Sequence, residues 1–178
     1  LAGTIPPEAG GMDLFDGRKL FRILVSINLL LVAMYLATNV LYQFPSWKVK
    51  HMFDLDQEYN FPTWFSSTQL FLVFLLSLVC ARQTQDGVLR RGYHLLGAVF
   101  LFFSVDETAM IHEMAERCLR AMPDGIPLLK FKGVWIFAYL FLFLMLVLYY
   151  RKEIISFLKI PEGRTAFVAG AAAFVSAG

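Results

Sequence analysis

The chain alternates long apolar blocks with short polar breaks. The blocks have the length that crosses a bilayer, about 17–25 helical residues. Five spans are expected. They run over about 20–44, 64–81, 92–121 (with an extension beyond the hydrocarbon), 134–150 and 165–178. The last stops inside "TAFVAGAAAFVSAG" and reads as a helix cut short. The pattern predicts an all-α, polytopic transmembrane helix bundle with at least four full spans. Residues 1–17 form an amino-terminal segment, and 18–178 a single membrane domain.

Flanking charges set the expected orientation. Of the 16 Lys and Arg, ten fall on the side shared by the amino-terminal segment, the second loop and the fourth loop. The excess places that side in the cytoplasm. Trp47, Trp64 and Trp135 fall at the opposite interface, as aromatic anchors do. Met12 opens "MDLFDGRKLFRILV", which resembles the start of a bacterial inner-membrane protein. The first apolar block is too long for a signal-peptide core.

Composition agrees with this reading, since 58% of the 178 residues are hydrophobic. A net charge of +2 without a basic, aromatic-rich stripe excludes nucleic acid as a partner. The expected partners are the lipid bilayer and other membrane-protein subunits. Cys80 and Cys118 fall on opposite faces and read as isolated thiols.

Candidate chemistry concentrates in the third span, which runs from "LLGAVFLFFSV" into "DETAMIHEMAERCLRAM". Asp106 and Glu107 fall in the outer third of the hydrocarbon layer, where an unpaired carboxylate is costly and is a functional candidate. On one continuous helix, Asp106, Met110, Glu113, Arg117 and Arg120 share a face, with His112 and Glu116 one turn apart beside it. A divalent metal held by this cluster is one reading. The spacing matches neither Glu-x-x-His nor HExxH. The competing reading is intrahelical pairing of Glu113 with Arg117 and Glu116 with Arg120. Asp106 and Glu107 would then be bonded to a neighbouring span.

The loop "FDLDQEYN" supplies more acids. In an extended chain Asp54, Asp56, Glu58 and Asn60 point to one face. They imitate the first positions of a calcium loop, but Tyr59 stands where the turn glycine belongs and Phe65 where the final Glu belongs. Both acidic groups are expected on the outer side, over the mouth of the bundle. Asn28, Tyr35 and Asn39 form a stripe suited to bonding between helices. His94 lies beside Gly92, Gly97 and Ala98, where a macrocycle could approach, although no second histidine is expected at its depth. Span four lacks strongly polar residues. Span five carries Ala166-x-x-x-Gly170 and Ala169-x-x-x-Ala173, a close-packing pattern. Nucleophile-elbow, phosphate-loop, dinucleotide and zinc motifs are absent.

"FDLDQEYNFPTWFSS" (53–67) and "SVDETAMIHE" (104–113) resemble a pattern in bacterial multi-pass membrane proteins that have no characterised activity. The resemblance covers about residues 20–150. It implies that Asp106, Glu107, His112 and Glu113 belong together and gives none of them a role.

Two functions are expected to compete. One is a non-catalytic accessory or assembly subunit of a larger inner-membrane complex, with a pigment-bearing or electron-transfer host as one option. The other is a small membrane enzyme or transporter using the acid/His cluster for metal binding or proton transfer.

Overall fold

A computed structural model describes residues 16–41, 46–121, 134–161 and 164–165. The described residues form helices and turns, with no strand among them. The chain divides into two compact units, Leu1–Pro62 and Thr63–Gly178.

In the first unit, α1 covers Gly17–Tyr35 and continues as a π-helical segment, Leu36–Leu41. Asp16 starts it by accepting the amides of Arg18 (3.0 Å) and Lys19 (3.3 Å). α1 buries no residue, as expected of a helix surrounded by lipid. The short helix α2 (Trp47–Met52) is tied to the π segment. The Asn39 amide donates to the Lys50 carbonyl at 3.3 Å and to the Thr38 hydroxyl at 3.0 Å. Among the described residues, Asn28 bonds within its own helix and not across helices. It donates to the Leu24 carbonyl of its own helix at 3.1 Å, a local satisfaction open to any short polar side chain. Tyr35 is half-buried on the same helix.

In the second unit, α3 (Phe61–Gln83) and α4 (Gly87–Ala109) are joined by three residues and pack antiparallel. Asp86 caps α4 through the amides of Val88 (2.7 Å) and Leu89 (3.4 Å). The crossing is built from small residues. A Cβ added at Gly97 would lie 3.3 Å from the Phe74 ring and 3.4 Å from the Ser77 Cβ. Farther along, Ser67 and Ser104 exchange hydroxyl-to-carbonyl bonds of 2.8 and 2.9 Å, and Thr108 joins them at 2.6 Å. Small residues let the backbones approach, and hydroxyls supply the polar adhesion that apolar side chains cannot supply in lipid.

α5 (Ile111–Ala121) packs against α6 (Val134–Tyr149), and α7 (Arg151–Leu158) folds back onto α4. Three helices are long and apolar enough to cross a membrane: Gly17–Leu41, Phe61–Gln83 and Gly87–Ala109. The expected fourth span is α6, an apolar helix of 16 residues. It rises about 24 Å against a hydrocarbon layer of about 30 Å. The fifth span beyond Thr165, with its small-residue pattern, lies outside the described residues, as do the turn at 122–127 and the side chain of Trp135.

One expectation is corrected. The third span is not a continuous helix over 92–121. It breaks at Met110, whose φ of 52° and ψ of 43° are left-handed. That conformation ends an α-helix.

Candidate functional site

The break at Met110 builds the most organised polar site among the described residues. Asp106 sits in the last turn of α4. The left-handed Met110 sends the chain into α5 at a new angle, which brings His112 back over Asp106. The Asp106 Oδ1 accepts the His112 backbone amide at 3.0 Å, and Oδ2 lies 3.0 Å from the His112 Nδ1. Met110 has no side chain able to cap α5, so the carboxylate of the preceding helix does so. On a continuous helix Asp106 and His112 would stand about 120° apart around the axis and about 9 Å apart along it, beyond each other's reach.

The site is sheltered. Asp106 is 6% exposed and Met110 7%. From α6, Tyr139 packs on Phe102 and Phe103 with ring centroids 5.6 and 6.4 Å away. Its phenol oxygen comes within interaction range of the Asp106 carboxylate. The carboxylate thus joins α4 to α5, with the Tyr139 ring of α6 packed beside it on Phe102 and Phe103. A carboxylate bound to Nδ1 fixes the imidazole's orientation and makes Nε2 the proton-exchanging atom.

The rest of the expected cluster does not converge there. Glu107 is half-buried on another face of α4. Glu113 forms an i, i+4 ion pair with Arg117 at 3.0 Å, with both side chains well exposed. It does not stack on Asp106, because the break rotates α5 away from the face of α4. Glu116 is half-buried on α5, and the side chain of Arg120 lies outside the described residues. Among the described residues, no three His, Cys, Asp or Glu side chains are placed to hold a metal ion. His94 is exposed near the opposite end of α4 from His112, separated along the helix by about 18 Å to Asp106.

The loop acids belong to the first unit, and their expected extended geometry is corrected. The segment is a run of turns. Asp54 accepts the Asp56 amide at 3.0 Å, and Tyr59 has a left-handed φ of 59°. The Asn60 side-chain amide donates to the carbonyls of His51 (3.2 Å), Asp54 (2.5 Å) and Gln57 (2.8 Å). Asn60 thus staples the loop internally and does not join Asp54, Asp56 and Glu58 on one face. Turning backbone satisfies its carbonyls through the nearest donor, which overrides the alternation of an extended chain.

Sequence reasoning missed Ser67, Ser104, Thr108 and Tyr139. The spacing of Gly97, Ser104 and Thr108, seven and then four residues, was the available signal for the first group. Tyr139 carried no local signal.

No curated protein and no solved structure matches the chain. A family model described as a domain of unknown function, DUF8692, matches residues 23–178, and the chain belongs to that family.

Proposed function

We propose that this protein is a non-catalytic accessory or assembly subunit of a larger membrane complex. The proposed location is the bacterial inner membrane, with the amino terminus cytoplasmic. The observation that carries the reading is the bonding of Asp106. Both carboxylate oxygens are used in positioning α5, so the acid deepest in a candidate span has a structural task. Such a bond set offsets the cost of placing a carboxylate in lipid and needs no substrate or metal to do so. α6 adds support. Ile136, Phe137, Leu140, Phe141 and Leu144 are all at least half exposed, as are its neighbours to Met145. A helix apolar all round is covered by lipid or by another membrane protein.

The test is purification of the natively expressed protein in mild detergent, with co-purifying chains and metal content read on one sample. The expected result is a stoichiometric membrane partner without metal. A monomer active by itself would sink the proposal.

A second reading is favoured by the Nδ1–Oδ2 contact of 3.0 Å. A buried carboxylate that orients an imidazole is also the arrangement of a proton-transferring group. On that reading the protein is a small enzyme or transporter, and His112→Asn abolishes a proton-linked activity while leaving the chain folded. Bound metal lost on changing His112 or Asp106 would support the same class.

A further inference from the structure

The end of α4 opposite Asp106 has its own charge arrangement. The turn at Tyr150 ends the apolar α6 and starts α7, which packs on the first turns of α4. The Glu153 carboxylate is buried and lies 3.3 Å from an Arg91 guanidinium nitrogen. The contact is close enough that a Cβ on Gly92 would lie 3.6 Å from the Glu153 Cβ. Phe157 meets Tyr93 edge to face, with centroids 6.0 Å apart. With Glu153 and Phe157 turned toward α4, α7 exposes Arg151, Lys152, Ile155 and Lys159. The Arg91 side chain remains 65% exposed despite its bridge. Arg91 bridges the Glu153 carboxylate, while Arg151 and Lys152, the two residues before it on α7, stand exposed at the point where an apolar helix ends. The exposed Tyr149 marks the same boundary with an aromatic ring.

We infer that α7 and the start of α4 form an interfacial platform for anionic phospholipid headgroups. Charge complementarity selects this occupant: a phosphodiester answers the exposed cations, and Ile155 between Lys152 and Lys159 offers apolar contact to the acyl chains. Basic groups gathered where helices leave the bilayer bind acidic lipid in this way. The inference does not depend on the subunit proposal, because it concerns a surface that lipid reaches in either case.

The full chain, purified in neutral detergent, is offered phosphatidylglycerol or phosphatidylcholine at equal concentration. Retained lipid is read by native mass spectrometry, and the thermal midpoint is measured in parallel. The wild type is expected to retain phosphatidylglycerol preferentially and to be stabilised by it. Arg151→Gln and Lys152→Gln are each expected to reduce the preference about fivefold, and the double variant ~20-fold. Raising the salt on the wild type should erode the preference as well, a reading that does not depend on the variants folding. Lys48→Gln in the first unit serves as the control and should leave it unchanged. Equal retention of the two lipids by the wild type would overturn the inference, as would an unchanged preference in a folded double variant. Competition by inorganic phosphate at matched concentration would reassign the surface to free anions and overturn the lipid assignment.

Discussion

Asp106 ties the start of α5 to the end of α4. It accepts one backbone and one side-chain bond from His112 while nearly withdrawn from solvent. Asp106→Ala removes both acceptors and leaves the donors behind, which costs about 1–3 kcal/mol. A lowered unfolding midpoint in detergent is the expected reading, and an unchanged midpoint would mean that the pair does not hold the break. Gly97 acts by absence of bulk. Valine there would press on the Phe74 ring and on Ser77, a strain of about 1–3 kcal/mol. Ser67→Ala should do less. Hydrogen bonds between membrane helices average only ~0.6 kcal/mol, and the Ser67 carbonyl would still accept from Ser104. Measuring both variants by the same unfolding assay decides whether close approach or hydroxyl bonding dominates the α3–α4 crossing. Gly97→Val as the weaker perturbation would reverse that order.

At the scale of elements, the break between α4 and α5 is held against a local cost. A left-handed non-glycine residue costs about 1–2 kcal/mol. The Met110 amide donates to the Asp106 carbonyl at 2.7 Å, and the Asp106 carboxylate caps the following helix. These bonds offset the strain. Met110→Ile keeps the apolar volume but adds a β-branch at a left-handed position, so it is expected to destabilise by about 1–2 kcal/mol. Amide hydrogen exchange should rise at His112 and Met114 first, at the start of α5. Exchange unchanged there, with global destabilisation, would place the cost in packing and not in the turn. Nothing in the hydrophobic pattern marks this break, since neither Gly nor Pro stands at 110 and the helical period continues through it. The α3–α4 pairing was more legible, because Gly97, Ser104 and Thr108 repeat at helical spacing.

For the whole molecule, the proposed membrane orientation rests on the Lys/Arg bias and has a direct check. Cys118 is exposed on α5, and Cys80 lies near the end of α3, at opposite ends of the α3–α4 pair. With a cytoplasmic amino terminus, a membrane-impermeant maleimide applied to intact cells should label Cys118 and spare Cys80. Labelling of Cys80 alone would invert the topology.

Apolar block length, a property of the linear chain, was enough to make this an all-α protein with helices long enough to cross a bilayer. The helices at Gly17–Leu41 and Phe61–Gln83 start and end within about three residues of the expected spans, whereas Gly87–Ala109 ends well short of 121. Two isolated aspartates supply caps where α1 and α4 begin. The tertiary structure alone decided which polar groups meet. His112 reaches Asp106 only because the left-handed Met110 breaks the helix between them. Tyr139 reaches it only because α6 docks beside Phe102 and Phe103. Glu153 is buried only because α7 folds back on Arg91. Periodicity describes one helix at a time, whereas each of these contacts is fixed by a turn or by a second helix, and in lipid the apolar faces give little preference among alternative pairings.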